Sequence, residues 1–273
     1  MSTTPISKGS APKGTAVVTG ASSGIGAIYA DRLARRGYDL ILVARNVARL
    51  QDRAQRLAAE TGRAVEVLAA DLTRAADLRA VEARLREAAS ITALVNNAGV
   101  GAAAPLLDAD VDAMEAMIQL NVTALTRLTY AAVPGLVKRG GGLVINIASI
   151  VGIAPELLNG TYGGTKAYVV AFTQSLHHEL AGKGLRAQAV LPGATRTEFW
   201  DVAGVPVEHL PQEIVMSAEE MVDAALVGLD QGELITIPAL PDLADWQAYE
   251  DARQKLKPNL SRSEAAARLK PAA

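Results

Sequence analysis

The sequence predicts an α/β protein: a single-domain, Rossmann-type, doubly wound sheet of about seven parallel strands flanked by helices. Short β-branched apolar runs alternate with longer stretches of helical period from residue 15 onward. The runs are apolar throughout, as in strands covered on both faces. A glycine cluster separates the first run from the first helical stretch, where such a sheet needs a tight strand-to-helix turn.

The expected strands are TAVVT (15–19), DLILVA (39–44), AVEVLA (64–69), ITALVN (91–96), GLVINIA (142–148), LRAQAVL (185–191) and ELITI (233–237). Between the early ones lie IGAIYADRLARRG, NVARLQDRAQRLAAETG and TRAADLRAVEARLREAA. Their apolar residues recur at threes and fours and each ends near glycine or a small residue, which predicts helices. Strand, helix and strand in succession give parallel pairing through right-handed crossovers. Residues 14–250 are assigned to this domain, between a polar leader at 1–13 and a C-terminal helix and tail at 251–273. The irregular stretch PGATRTEFWDVAGVPVEHLPQEIVMS follows the end of a strand, where ligands bind in such sheets, and predicts a substrate lid at about 194–217.

Composition narrows the function. Half of the 273 residues are hydrophobic, enough for a large core, and 27 basic against 29 acidic side chains leave a net charge of −2. Such a chain has no field that draws nucleic acid or anionic lipid. The absence of cysteine excludes disulfides and thiolate chemistry. His177, His178 and His209 lack the spacing of a metal site, so no metal is expected. With no run of 18 apolar residues and no apolar signal core at the N-terminus, the expectation is a cytoplasmic protein.

In VVTGASSGIG, glycines at Gly20, Gly24 and Gly26 permit a tight turn and close approach to a pyrophosphate, with Ser22, Ser23 and Ile25 beside them and helix N–H groups facing the anion. The spacing G-x-x-x-G-x-G departs from the commoner G-x-G-x-x-G. A cofactor with a free ribose 2′-hydroxyl needs an acid at the end of the second strand. That strand ends in Ala44, Arg45 and Asn46, and Asp39 stands at its other end. Arg45 suits a 2′-phosphate, with Ser22 and Asn46 adding hydrogen bonds, so NADP(H) is expected over NAD(H).

TGASSGIG (19–26), DLT (71–73), NNAG (96–99), Asn121, Ser149, YGGTK (162–166) and PGATRT (192–197) follow in order. On these motifs the chain resembles the short-chain dehydrogenase/reductase family over residues 15 to about 200. The resemblance implies that Asp71 and Leu72 border the adenine, and that Asn97, Ala98 and Gly99 support the adenosine end. It sets Pro192, Gly193, Thr195 and Thr197 around the nicotinamide end. The family's catalytic four correspond to Asn121, Ser149, Tyr162 and Lys166, the last two also contacting cofactor, with Asn121 holding a water that relays protons to Lys166.

These residue types fit carbonyl reduction, which leaves an alkoxide in need of a proton. A phenol of pKa about 10 is a sluggish donor near neutrality. Tyr162 and Lys166 are four apart, on one helical face. A cation about 4 Å away, at an effective dielectric near 20, favours phenolate by roughly 4 kcal/mol, so Lys166 is expected to tune Tyr162 downward. Ser149, at a strand end, suits hydrogen bonding to the developing oxyanion. Gly163 and Gly164 each cost the helix about 1 kcal/mol relative to alanine.

The expected substrate pocket includes Val151, Leu157, Phe199 and Trp200, among apolar residues at 100–104 and 150–158 and lid residues Val202, Val205 and Val207. It suits an apolar ketone or aldehyde, although core packing accounts for some of these residues equally well. Arg196 suits an anionic group or solvent. Expected, then, is an NADP(H)-dependent enzyme interconverting carbonyl and alcohol. The alternatives are an NAD-dependent alcohol or hydroxysteroid-type dehydrogenase and a non-catalytic NADPH-sensing regulator. By resemblance the partner is a second copy of the chain, in a homodimer or homotetramer built from the helix around Asn121 and the one bearing Tyr168, Val169 and Phe172.

Overall fold

Successive residues of a strand point to opposite faces of a sheet. In β1 (Thr15–Thr19) Ala16 and Val18 join one apolar cluster and Val17 another. In β2 (Asp39–Ala44) Leu40 and Leu42 join the first, Ile41 and Val43 the second. The sheet therefore has a core on each face, which explains its uninterrupted apolar strands. The structure, a computed structural model, describes residues 13–270. The expected leader at 1–13 lies outside these apart from Lys13.

The remaining strands of the sheet are β3 (Val65–Ala69), β4 (Ile91–Asn96), β5 (Gly142–Ile147), β6 (Leu185–Val190) and the two-residue β9 (Ile235–Thr236). All pairs are parallel, in the order β3-β2-β1-β4-β5-β6-β9. The order reverses between β1 and β4, which opens a crevice at the strands' C-terminal ends. The first face packs α1 (Gly24–Arg35), α2 (Val47–Thr61) and α8 (Ala218–Gln231). On the second lie α3 (Ala75–Glu87), α5 (Leu125–Lys138) and α6 (Gly160–Leu180). Leu50, Ala54 and Leu57 show how sequence sets these faces: spaced by four and three, they form the buried stripe of α2.

Four buried polar side chains cross the second face. Asn96 Nδ2 donates to Thr129 Oγ1 at 3.0 Å and to Asn146 Oδ1 at 2.9 Å, and Asn146 Nδ2 donates to Thr173 Oγ1 at 2.9 Å. This ladder fixes α5 and α6 against β4 and β5, because a slip by one residue would leave buried amides unpaired.

Three expectations need correction. Segment 192–217 is not wholly irregular: β7 (Thr195–Arg196) pairs in parallel with β8 (Met216–Ser217), and α7 (Phe199–Ala203) lies between them. The compact unit containing the sheet ends at Pro238, and Ala239–Ala273 form a second unit. The expected break at 250/251 falls inside α9 (Leu243–Lys255), which starts where the Asp242 carboxylate accepts the Ala244 N–H at 2.8 Å. Val169, expected on an outer face, is fully buried, since it follows Tyr162 and Lys166 at helical spacing on the inner side of α6.

The paired glycines of α6 have different explanations. A Cβ on Gly163 would lie 3.0 Å from Pro155 Cβ, so the loop before α6 needs that glycine, whereas one on Gly164 would meet nothing within 4 Å. Gly164→Ala is expected to stabilise the fold by about 0.5–1 kcal/mol, raising Tm by roughly 1–4 °C. Gly163→Ala is expected to lose about 1 kcal/mol by overpacking. Thermal unfolding of the two variants checks both signs.

Candidate active site

Residues far apart in sequence meet where the parallel strands end. A cavity of about 770 Å³ opens there, lined from the ends of β1, β2, β4, β5 and β6 and from the segment after β6. Every expected cofactor residue lines it except Gly26 and Lys166, as do Ser149 and the pocket residues Val151, Leu157, Phe199 and Trp200. Asn121, Gly26 and Lys166 stand behind its wall. Val207 is buried away from the cavity, and Arg196 leaves it to donate to Gln212 Oε1 at 2.6 Å.

The glycine turn is shaped for a dinucleotide phosphate. Gly20 and Gly24 have φ of +67° and +50°, a region side chains disfavour. A Cβ on Gly26 would lie 2.4 Å from the Gly20 carbonyl oxygen, so only glycine lets α1 approach β1 this closely. Asn97 Nδ2 donates to the carbonyls of Thr19 and Gly20 at 2.9 and 3.3 Å, clamping the turn. Among the described residues, no side chain caps α1 and no acid stands in its first turn, which leaves its N–H groups for an anion.

At the 2′ end, Asp39 accepts the Ala64 N–H at 3.0 Å, at the far end of β2, while Arg45 lies exposed at the cavity. Asn46 caps α2: its Oδ1 accepts the Arg49 N–H at 3.0 Å, leaving Nδ2 as its donor toward an anion. Asp71 also faces the cavity. Its carboxyl is held below the usual range by the Thr73 hydroxyl, which donates at 2.7 Å, and by the nearby charge of Arg45. Glycine turn, open helix N-terminus and a cation without a competing acid on β2 together fit NADP(H).

The expected catalytic residues gather around the end of β5. Ser149 follows β5, lies beside the Tyr162 phenol, and donates to the Pro192 carbonyl at 3.3 Å. Lys166 Nζ donates to the Ile147 carbonyl at 2.8 Å. Asn121 lies in a π-helical turn, Gln119–Ala124, between α4 (Val111–Ile118) and α5. Its Oδ1 accepts the Val100 N–H at 3.0 Å and its Nδ2 donates to the Val100 carbonyl at 2.8 Å and to Thr165 Oγ1 at 3.2 Å. The widened turn aims this side chain at the loop after β4 instead of along the helix.

The electrostatic expectation for Tyr162 is overturned in direction. Burial pushes its phenol up to about 12, opposed by the hydrogen bond with Ser149. Burial likewise lowers the Lys166 amine to about 8. Nζ sits 5.8 Å from the centre of the phenol ring, committed to a backbone carbonyl. Desolvation therefore dominates at both groups, and the contact that eases ionisation of the phenol comes from Ser149.

Sequence reasoning missed Thr165, Arg49 and Glu198, and it set Gly101 among the pocket residues at 100–104 without its contact. A Cβ on Gly101 would lie 2.1 Å from Phe199 Cζ, so the Phe199 ring occupies the space of an absent side chain. That ring lies 5.7 Å from the Tyr162 ring and 5.5 Å, edge to face, from the Trp200 ring. Arg49, in the first turn of α2, and Glu198, just before α7, both line the cavity and form an ion pair with N···O distances of 3.0 and 2.8 Å. No spacing motif marks these contacts, though the glycine of Gly101 beside NNAG was a signal of close approach.

A family model described as short chain dehydrogenase matches residues 14–204. A short-chain dehydrogenase from Sphingobium yanoikuyae, solved in complex with NADPH, is 52% identical, with a TM-score of 0.91 over 94% of this chain and 100% of that one. The bulky-bulky ketone specific alcohol dehydrogenase from Comamonas testosteroni is 44% identical, with a TM-score of 0.87 over 94% and 99% of the two chains. Serine 3-dehydrogenase of Agrobacterium fabrum is 36% identical over 188 residues, 68% of this chain and 74% of that protein.

The buried amine carries a pH signature. Lys166 titrates near 10.5 unfolded and near 8 folded, so between those values the unfolded chain binds more protons and stability rises with pH. Above about 10 the tyrosines raised by burial, Tyr29 and Tyr162, reverse the trend. From pH 7 to 10, wild type is expected to gain about 2–3 kcal/mol relative to Lys166→Met. Denaturant unfolding of both proteins across that range tests this, and parallel curves would contradict it.

Proposed function

Because the chain belongs to the short-chain dehydrogenase family, and is thus an oxidoreductase acting on alcohol and carbonyl groups, we propose that it reduces bulky apolar ketones with NADP(H), using Tyr162 as proton donor. The observation that carries this reading is the Ser149 and Tyr162 side chains side by side at the cavity, next to an apolar stretch of its wall that includes Val100, Val151, Leu157, Phe199, Trp200 and Val205. Hydroxyls meeting in an apolar chamber suit one polar atom on an otherwise apolar molecule.

NADPH, when bound, supplies the hydride. Gly20, Gly24 and Gly26 with the α1 N-terminus would hold its pyrophosphate, Arg45 its 2′-phosphate, and Thr195 and Thr197 its nicotinamide end. Ser149 and Tyr162 donate to the substrate's carbonyl oxygen and hold the carbonyl carbon toward the hydride. As charge develops on that oxygen, the phenol proton moves to it. A phenol held near 12 keeps its proton until the far more basic alkoxide appears. Lys166 remains largely ammonium below its value of about 8, and its charge favours the resulting phenolate. Asn121 braces the loop at Val100, against which the substrate rests.

A homodimer or homotetramer through α5 and α6 is supported by an aromatic strip on their outer side. Tyr130 is 71% exposed, its ring stacks 6.4 Å from that of Phe172, and Tyr168 continues the stack at 5.6 Å.

NADPH oxidation with a panel of ketones tests the reading. Aryl ketones with two large substituents are expected to turn over faster than acetone or a ketose. Tyr162→Phe is expected to bind NADPH within about twofold of wild type while losing roughly 10²–10⁴ in kcat. Retained turnover in that variant would refute the proton-donor role.

A further inference from the structure

The ion pair of Arg49 and Glu198 joins the two halves of the site. Arg49 lies four residues after Arg45, in the first turn of α2, on the wall that receives the adenosine end. Glu198 begins α7, and its neighbour Phe199 reaches into the Gly101 cradle beside Tyr162. One carboxylate thus engages a side chain of the cofactor wall, while the next residue fills the substrate side.

We propose that Arg49 is a second reader of the cofactor's 2′-phosphate and that Glu198 competes with that phosphate for it, so that NADP(H) binding releases the first turn of α7 and withdraws Phe199 from above Tyr162. A 2′-phosphate carries nearly two negative charges and three acceptor oxygens and outcompetes a single, half-exposed carboxylate for a guanidinium. Once seated, it repels Glu198. NAD(H) has no such group and leaves the ion pair closed, with the Phe199 ring still in the pocket. Cofactor discrimination and pocket width are then one equilibrium, and substrate binds the NADP(H) form more tightly. The proposal rests on the reading of Phe199 as a substrate-pocket residue and of the Arg45 side as the 2′ site.

Calorimetric titration with adenosine 2′,5′-bisphosphate and adenosine 5′-monophosphate tests it without turnover. Arg49→Gln is expected to weaken the bisphosphate by about 10- to 100-fold and leave the monophosphate unchanged, as loss of a charge-assisted contact requires. Glu198→Gln is expected to tighten the bisphosphate by roughly three- to tenfold by removing its competitor. In a Trp246→Phe background, Trp200 emission reports on α7: the bisphosphate should shift it, the monophosphate should not, and Glu198→Gln should start near the shifted value. Both substituted side chains are surface-exposed, so folding is preserved. If wild type does not distinguish the two nucleotides, the 2′-phosphate reading fails and the competition with it. If it does, but Glu198→Gln changes neither affinity nor emission, the competition alone is overturned.

Discussion

Every strand of this sheet runs the same way, and that constraint generates the site. Parallel strands all end at one edge, so the segments leaving β1, β2, β4, β5 and β6 converge there although they span residues 20 to 193. Convergence alone is too coarse for proton transfer, which needs hydroxyls placed to a fraction of an ångström. The precision comes from the buried amide and hydroxyl ladder of Asn96, Asn146, Thr129 and Thr173. These groups have no water to fall back on, so helix and strand registers are pinned where apolar packing alone would permit slippage. Tyr162 and Lys166 ride on the helix that Thr173 anchors.

Burial of that helix sets the chemistry of the pair. A neighbouring ammonium lowers a phenol only when its field exceeds the cost of desolvating the phenolate. Here the cation is itself desolvated, holds a backbone carbonyl, and lies 5.8 Å from the centre of the phenol ring. The result is a phenol that resists losing its proton to solvent. Ser149 is the group that offsets part of the cost of ionising Tyr162. Exposed, the same two side chains would titrate near their ordinary values.

Much of this was legible in the sequence because it is local. Strand bounds follow from apolar runs, the glycine turn from three residues within seven, and the Tyr162–Lys166 face from helical spacing. Long-range contacts were not legible. Arg49 and Glu198 are separated by 149 positions, and neither stands in a motif. Gly101 reads as a loop glycine until the Phe199 ring is seen to occupy its missing side chain. β9 was overextended because ELITI is apolar beyond the two residues that pair, and Val169 was assigned outward because an apolar residue on a helix suits a core or an interface equally. The direction of the Tyr162 shift failed for a related reason: spacing gives proximity along a helix, but desolvation depends on everything packed around it.

The segment after β6 shows how an excursion from the sheet is tied back to it. Its short strand β7 is tied to β8, Trp200 Nε1 donates to the Thr195 carbonyl at 3.0 Å, and the Ala103 N–H donates to Ala203 at 3.3 Å. These anchors lie at the segment's base, at Trp200 in α7 and at the end of that helix, while Glu198 and Phe199 reach across the cavity through side chains alone. Backbone pairing there would fix the pocket at one width. Side-chain contacts cost less to break and re-form, so the part of the segment that faces Tyr162 is the part the fold leaves adjustable. Pocket width is consequently a property of α7 and the Gly101 cradle, and the sheet that carries Ser149 and orders α6 need not change with it.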